Sequence, residues 1–242
     1  MSIVNTLTLE SNRQIKINFD GGDLSSDAGL LLIKEFAAKI GFTKLIKKKF
    51  KTNDEAVRFH KDAENLLQMI YQVISAYFQD DCADELTLDP VFLAVLGKES
   101  LASQPTLSRF FNRMDEDTLV QFNDIDKKLR DIIYSIKRPE HVLFDLDSTL
   151  FGTYGRQEGE GFNFHYQAHG YHPLLCYDGL TGDLLKAELR NGTLHCSNGA
   201  DKFMESIFQE YLERGLKTYL RGDSGFSSQN FMKPVRVMAV SY

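Results

Sequence analysis

The 242-residue chain is predicted to have an α+β or α/β fold in which a mainly helical region, residues 1–137, precedes a mixed sheet, residues 138–242. Apolar residues recur at helical spacing from about residue 28 to residue 135. From RPE, residues 138–140, short apolar runs alternate with glycine-rich turns, which is typical of strands. The change of period therefore predicts two domains of different class.

In the first region, QIKINF, residues 14–19, alternates as a strand does. Helices are predicted over residues 28–40, 53–78, 84–96 and 116–136, with a shorter one opening at Ser103 and Pro105. Gly41 is a natural end for the first helix. The inward face of the last is expected to be Leu119, Phe122, Leu129 and Ile133.

The second region reads as four strands and one helix. The predicted strands are HVLFDLD (141–147), FHYQAHGYHPLLCY (164–177, broken near Gly170), LLKAELR (184–190) and TYLRGD (218–223). TYGRQEGEGFN, residues 153–163, is a predicted loop, and Asn198 is expected to cap the helix that Gly215 ends. The early hairpin is antiparallel, and the helix is a crossover that makes the fourth strand parallel to its neighbour.

Composition narrows the class of protein. The chain is 43% hydrophobic and 26% charged, as in ordinary globular proteins. No apolar run approaches the roughly 20 residues of a membrane helix, and the first residues do not resemble a signal peptide. A cytoplasmic protein without a membrane partner is expected. Cys82, Cys176 and Cys196 show no close-spaced pair, so they are interpreted as packing residues.

Charge gives two opposing indications about nucleic acid. The net charge of −6 argues against a phosphate-rich partner. TKLIKKKFK, residues 43–51, nevertheless concentrates five lysines, among them Lys47, Lys48 and Lys49, which could meet phosphate. The alternative is a solvated helix end.

Three aspartates carry the predicted chemistry. Asp145 and Asp147 lie in LFDLDSTLF, residues 143–151, and Asp223 ends the fourth strand. If that strand pairs with the first, Asp145 or Asp147 meets Asp223 at the carboxyl ends of adjacent strands, in the order of a ribonuclease H-like fold. Neighbouring carboxylates raise each other's pKa unless a cation lies between them. Magnesium prefers such oxygen ligands, and two ions about 4 Å apart can assist phosphoryl chemistry.

A phosphatase is the competing interpretation. Asp145, Asp147 and Thr149 match the D-x-D-x-T motif of the haloacid-dehalogenase superfamily. No Asp or Glu follows Asp223, however, where that superfamily has its late carboxylates. A hairpin also follows the aspartate pair, where a doubly wound fold requires a helix.

Longer motifs carry a closer resemblance. Residues 143–192, then CSNGA (196–200) and RGDSGF (221–226), resemble DDE-type transposases of bacterial insertion sequences, specifically the group numbered 1380. The resemblance extends back through QPTLSRF (104–110) and FDGGDLSSDAGLLL (19–32), so it covers nearly the whole chain up to about residue 231.

The resemblance implies cut-and-paste movement of an insertion sequence by metal-assisted DNA cleavage and strand transfer. Asp147 and Asp223 would be catalytic, with Mg²⁺ or Mn²⁺ as cofactor and Asp145 as the second choice for the first metal ligand. The partners implied are DNA, at the inverted repeats of the transposon end, and a second copy of the chain in a homodimer. His165, His169 and His172 are not expected to bind zinc, because alternation on a strand turns His172 away from the other two.

The helical region would hold transposon-end DNA. Gln104, Thr106, Ser108 and Arg109 open a short helix, and helix starts and short polar side chains suit phosphate. A bundle without a DNA role is the alternative.

The family's third catalytic residue, a glutamate on a later helix, has no counterpart after Asp223. KPVRVMAVSY, residues 233–242, loses the resemblance, which suggests a truncated chain with an incomplete sheet. A DNA-binding remnant without catalytic activity is therefore a further alternative.

Overall fold

The computed structural model describes residues 6–19, 21 and 24–226 and is a mixed α+β protein with open sheets. The chain divides into two compact units, residues 1–136 and 137–242. The final segment, for which loss of a strand is expected, and most of the glycine turn at residues 20–23 lie outside the described residues.

The first unit is mainly helical. Its described strands, β1 (Thr6–Thr8) and β2 (Lys16–Asn18), pair antiparallel. Its helices are α1 (Leu30–Lys39), α2 (Phe42–Lys49), α3 (Asp62–Ile74), α4 (Cys82–Glu85), α5 (Pro90–Leu96), α6 (Gln104–Phe111) and α7 (Glu116–Ile136). One buried cluster surrounds Tyr71 and Phe92, and another surrounds Phe50 and Phe110.

Most helices of this unit lie where the sequence predicts them, and α7 has the predicted bounds. Gly41 follows α1 with a φ of +74°, a left-handed conformation that glycine adopts without strain. The stretch predicted as one helix over residues 84–96 is two helices, because Asp89 precedes a proline and is extended. Asp89 then caps α5, accepting hydrogen bonds from the Val91 and Phe92 N–H groups at 2.9 Å.

Two expectations for this unit are wrong. The second predicted helix begins at Asp62 rather than at residue 53 and ends at Ile74 rather than at residue 78. At its start the Glu64 carboxylate accepts the Lys61 N–H at 3.3 Å, and Asp62 binds Thr52 and Arg113. On α7, Phe122 and Leu129 pack against the Phe50 cluster. Leu119 and Ile133 are 60% and 45% exposed, so the buried stripe is narrower than expected.

The second unit contains a four-stranded sheet and a small three-stranded one. Its strands are β3 (His141–Ser148), β4 (Phe151–Gly152), β5 (Gly161–Asn163), β6 (Ala168–Tyr171), β7 (Leu174–Asp178), β8 (Leu184–Glu188) and β9 (Lys217–Gly222). The large sheet has the order β8-β7-β3-β9 and the small one β4-β6-β5. Helix α8 (Ala200–Glu213) connects β8 to β9.

Strand directions in the large sheet are those the sequence predicts. β3, β7 and β8 pair antiparallel in turn, and β9 pairs parallel with β3. Phe144 packs against Phe208 and Tyr211 of α8, with ring centroids 5.3 and 5.0 Å apart. Since side chains alternate along a strand, Asp145 and Asp147 lie on the opposite face.

Three local expectations for this unit are wrong. Residues 164–177 form two strands in different sheets, separated at His172 and Pro173, where proline cannot donate to the ladder. Gly170 lies inside β6, where a Cβ would come within 2.2 Å of the Phe151 carbonyl oxygen. The predicted loop contains β5, and α8 is preceded by Gly199, with a φ of +71°, rather than by an Asn198 cap.

Among the described residues, no helix combines the length and hydropathy needed to cross a membrane.

Candidate active site

Asp147 and Asp223 lie at the carboxyl ends of two paired strands. In the parallel register of β3 with β9, Leu146 is opposite Gly222, so the next residues along are Asp147 and Asp223. Both carboxylates are exposed. These two residues define what is called here the Asp147–Asp223 site.

Short local hydrogen bonds orient both side chains. Oδ1 of Asp147 accepts the Ser148 N–H at 2.7 Å, and Oδ1 of Asp223 accepts the Gly225 N–H at 2.9 Å. In the described part of the chain, neither carboxylate forms an ion pair. Each keeps lone pairs available for a further ligand.

Asp145 has a different environment. Its two carboxylate oxygens accept hydrogen bonds from Nε and Nη2 of Arg221, at 3.0 and 2.5 Å. These hydrogen bonds hold the pKa of the Asp145 carboxyl below its ordinary value, although burial opposes the shift. Arg221 therefore binds the carboxylate of Asp145, the residue that the sequence offered as the alternative first metal ligand.

Oxygen donors of this kind fit a magnesium ion, which takes one or two carboxylates and leaves other positions to water and phosphate. Asp147 and Asp223 are the residues that would hold it. Within residues 6–19, 21 and 24–226, no group of three His, Cys, Asp or Glu residues is arranged to bind a metal.

A cavity of about 310 Å³ opens beside Asp223. Its wall includes Ser148, His165, His172, His195 and Cys196. His172 is buried, and its Nδ1 lies 2.8 Å from the Leu194 carbonyl oxygen.

The expected orientation of the histidines is wrong, because His165 lies in a turn after β5 and does not follow strand alternation. His165 and His172 line the same cavity, whereas Nδ1 of His169 pairs with Glu160 at 2.9 Å.

Sequence reasoning missed Arg221, His195 and Cys196. Arg221 precedes Asp223 by two residues and so shares its side of the strand, a signal that alternation provides. Cys196 was interpreted as packing, yet its thiol donates to the Gly225 carbonyl oxygen at 3.1 Å, beside Asp223. No local pattern indicates that contact.

In the first unit, Lys47, Lys48 and Lys49 form the last turn of α2, whose buried residue is Ile46. Lys47 and Lys48 are exposed, and Nζ of Lys49 lies 3.8 Å from Asp124. Lysines in this position also complement the negative end of the helix dipole. A solvated helix end thus accounts for part of the charge run.

The start of α6 has no backbone N–H group free for phosphate among its first four residues. The Gln104 N–H donates to Oδ1 of Asp84 at 2.8 Å, and Pro105 has none. The Thr106 and Leu107 N–H groups donate to the Ser103 carbonyl. Arg109 is exposed and Ser108 half-buried, so DNA contact at this helix would depend on side chains.

Comparison with known proteins gives limited structural likeness. No curated protein matches the chain. A piggyBac transposase synaptic complex with hairpin DNA aligns at 17% identity over 80% of this chain and 44% of that chain, with a TM-score of 0.36. A pre-cleavage Mos1 transpososome aligns at 10% identity over 90% and 77%, with a TM-score of 0.27. The chain thus spans less than half the length of the piggyBac chain.

A family model gives the assignment. The model described as transposase DDE domain group 1 matches residues 7–242, which is nearly the whole chain. The chain therefore belongs to the DDE transposase domain family, group 1.

Proposed function

We propose that this chain is a DNA transposase, or part of one, whose residues 137–242 hold a divalent metal ion for cleavage and transfer of DNA strands. The observation that carries the proposal is the register of β3 and β9, in which Asp147 and Asp223 each follow the last registered pair, Leu146 and Gly222. The motifs at residues 143–192 and 221–226 support the finer assignment to the insertion-sequence group numbered 1380.

The sheet supports a ribonuclease H-like catalytic domain. Three antiparallel strands are followed by a helix and a strand parallel to the first. The carboxyl ends of paired parallel strands are the usual position of a site in such sheets.

The charged residues of the site have two different roles. Asp147 and Asp223 would hold Mg²⁺ or Mn²⁺, which when bound polarises the phosphate and assists the attacking and leaving oxygens. Arg221 neutralises the third carboxylate, Asp145. A bound cation then has to balance two negative charges rather than three, so the repulsion between carboxylates within the site is lower.

The proposed partner is DNA at the inverted repeats of a transposon end, bound by the helical unit as well as by the site, with a homodimer as the proposed assembly. Lys47, Lys48 and Arg109 are exposed cations that can contact phosphate. Such contacts position the protein but carry little sequence information.

A phosphatase of the haloacid-dehalogenase type is less well supported. In that interpretation Asp145 is the nucleophile, yet both of its oxygens accept hydrogen bonds from Arg221. β3 is paired on one side with the antiparallel β7, and no helix lies between them in sequence. The doubly wound fold of such enzymes requires a helix at that point.

Iron-mediated cleavage of the polypeptide tests the proposed site. Iron(II) would take the place of magnesium, and radicals generated there with peroxide and ascorbate cut the nearby backbone. We expect cuts next to residues 147 and 223, lost in Asp147→Asn and Asp223→Asn and kept in Asp145→Asn. Cuts elsewhere, or hydrolysis of a phosphate monoester that requires Asp145, would replace this proposal with another.

A further inference from the structure

The segment from Arg190 to Asn198, between β8 and α8, is unusually well anchored for a connecting loop. Arg190 is 6% exposed. The Asn191 amide donates to the carbonyl oxygens of Gly159 and Glu160 at 2.8 and 3.0 Å. At Gly192 a Cβ would come within 2.4 Å of backbone atoms of Gly161 and Gly170, so only glycine fits. Asn191 and Gly192 thus each lie against residues far away in sequence, and Arg190, directly before them, is buried.

Within this segment, Arg190 makes the largest number of these contacts. Its Nε donates to the His172 carbonyl oxygen at 3.0 Å. Its Nη1 reaches the carbonyl oxygens of Asn198 at 2.5 Å and Cys196 at 3.4 Å, and its Nη2 reaches Oγ of Ser148 at 3.4 Å. These acceptors are all uncharged.

A buried guanidinium is costly unless its N–H groups are hydrogen-bonded. Arginine presents five of them in a fixed fork, which lets one side chain bind several carbonyl groups at once. Simple packing does not require a charged group here. The contacts instead fasten several backbone segments to one point.

One of those segments follows Asp147, and another contacts the turn that contains Asp223. Ser148, which follows Asp147, receives a hydrogen bond from Arg190 and donates its hydroxyl to the Pro173 carbonyl oxygen at 2.7 Å. On the other side, the Cys196 thiol donates to the Gly225 carbonyl oxygen at 3.1 Å. A Cβ at Gly225 would lie 2.5 Å from Sγ of Cys196 and 3.0 Å from Oδ1 of Asp223, so this turn is closely packed.

We propose that Arg190 is a positioning residue for the Asp147–Asp223 site. It binds the 195–198 segment to the end of β3 beside Asp147, while Cys196 binds the same segment to the turn of Asp223. The spacing of the two carboxylates is then fixed by a loop anchored to both strand ends. This inference rests on the proposed function, because the site it positions is the proposed metal site.

Metal affinity separates a positioning role from a purely structural one. Residues that orient metal ligands typically change affinity by about 10- to 100-fold when removed. A residue that only stabilises the unit lowers the melting temperature without changing the affinity of the folded fraction. Binding of Mn²⁺ to folded protein, measured by electron paramagnetic resonance, is therefore the primary readout, with thermal unfolding in the absence of metal beside it.

The variants are Arg190→Lys, which keeps the charge but loses the fork, and Arg190→Met, which loses both. The matched control is Arg214→Met. Arg214 is also mostly buried, but it pairs with Glu210, and its carbonyl accepts from Arg138 near the amino ends of β3 and β9. Ser148→Ala and Cys196→Ala each remove one anchor and carry the test if the Arg190 variants do not fold.

We expect about tenfold weaker Mn²⁺ binding in Arg190→Met, a smaller loss in Arg190→Lys, and no change in Arg214→Met. Ser148→Ala and Cys196→Ala should each weaken binding by a few-fold. Unchanged Mn²⁺ affinity in the Arg190 variants, or in both single-anchor variants if those do not fold, overturns the positioning role alone. A wild-type chain that binds no Mn²⁺ through Asp147 and Asp223 overturns the proposed function and this inference with it.

Discussion

Arg221 and Asp145 lie opposite each other in the parallel register of β3 and β9, and the guanidinium binds both oxygens of the carboxylate. Two residues further along the chain are Asp147, in β3, and Asp223, directly after β9. Asp145 and Arg221 thus form a salt bridge, whereas Asp147 and Asp223 are both carboxylates. This difference separates Asp145 from the proposed metal site more clearly than its position in the D-x-D motif can.

The first prediction concerns the metal ligands. Mg²⁺ or Mn²⁺ should raise the melting temperature of the chain, because a ligand that binds only the folded state stabilises it. Asp147→Asn and Asp223→Asn should each abolish this shift, whereas Asp145→Asn should keep it. Differential scanning fluorimetry with and without metal measures the effect.

Asp183→Asn is the matched control for this series, since Asp183 is an exposed carboxylate in the turn between β7 and β8. It should behave as wild type. If Asp145→Asn loses the shift while Asp147→Asn keeps it, the assignment of the first ligand is wrong.

The second prediction concerns pH. The pKa of Asp145 is lowered in the folded chain by hydrogen bonds from Arg221. A lowered folded pKa means that the stabilisation is present above the ordinary carboxyl pKa and is lost as pH falls through the folded pKa. Asp145→Asn should therefore be slightly less stable than wild type at pH 7, as is usual for exposed pairs, and equally stable in strong acid.

Urea denaturation at pH 7 and in acid measures this difference. A gap between wild type and Asp145→Asn that widens as pH falls would contradict the sign. Arg221→Gln should behave like Asp145→Asn, because either change removes the same pair.

The third prediction concerns the stability of the helical unit. Asp62 begins α3 and accepts hydrogen bonds from Thr52 Oγ1 at 2.6 Å and Arg113 Nη2 at 2.7 Å. The side chains of the ion pair are 15% and 14% exposed. Asp62→Ala should cost about 1.5–3 kcal/mol, the usual range for hydrogen bonds to a charged group, measured by urea denaturation.

Asp54→Ala is the control, because Asp54 also pairs with an arginine, Arg58, but at a more exposed position. Its loss should be much smaller. Equal losses in the two variants would show that burial does not set the strength of these pairs.

The fourth prediction concerns DNA. If the helical unit contacts phosphate, affinity for duplex DNA should fall steeply as salt rises, since binding releases counterions. Lys47→Gln, Lys48→Gln and Arg109→Gln should each reduce the salt dependence by about one unit of slope for a lost phosphate contact. Fluorescence anisotropy over a salt series measures the slope.

Lys98→Gln is the control for the DNA series, because Lys98 is half-buried and pairs with Glu64 at 2.7 Å. Its slope should equal that of wild type. Duplex DNA that does not bind even at low salt would remove the DNA-binding role of this unit.

The sequence predicts the elements whose signal is local and long. α7 has its predicted bounds because a helical period continues for 21 residues. The helix before the fourth strand predicts that this strand is parallel to its neighbour, and the structure shows that the neighbour is β3. If the neighbour is the first strand, Asp147 and Asp223 are expected at the carboxyl ends of adjacent strands, and both follow the last registered pair of β3 with β9.

Features that depend on partners far along the chain could not be predicted. Asp145 and Arg221 are 76 residues apart in sequence, and alternation gives the face of each side chain but not its partner. At the start of α3, Asp62 binds Thr52 and Arg113, and Arg113 lies 51 residues away in sequence. Arg190 likewise donates to Ser148, which lies 42 residues away in sequence.

The fifth prediction is that the 242-residue chain alone does not cleave transposon-end DNA. Residues 224–242 contain no Asp or Glu that could serve as the family's third carboxylate. Of the glutamates on α8, Glu210 pairs with Arg214, and Glu213 accepts a hydrogen bond from Gln209 at 3.1 Å. Glu205 also lies on this crossover helix, before β9 in the chain. Two carboxylates can hold one ion, but a two-ion arrangement needs more ligands.

Purified chain, incubated with Mg²⁺ or Mn²⁺ and with duplex DNA carrying the proposed transposon-end inverted repeats, should leave both strands intact on a denaturing gel. The same preparation should still show the metal-dependent stabilisation of the first prediction, because Asp147 and Asp223 supply two ligands without a third. That combination separates an incomplete ligand set from a misfolded protein. Specific nicking that disappears in Asp147→Asn and Asp223→Asn would contradict the prediction. It would mean that another residue, or a second copy of the chain, contributes the missing carboxylate to the site.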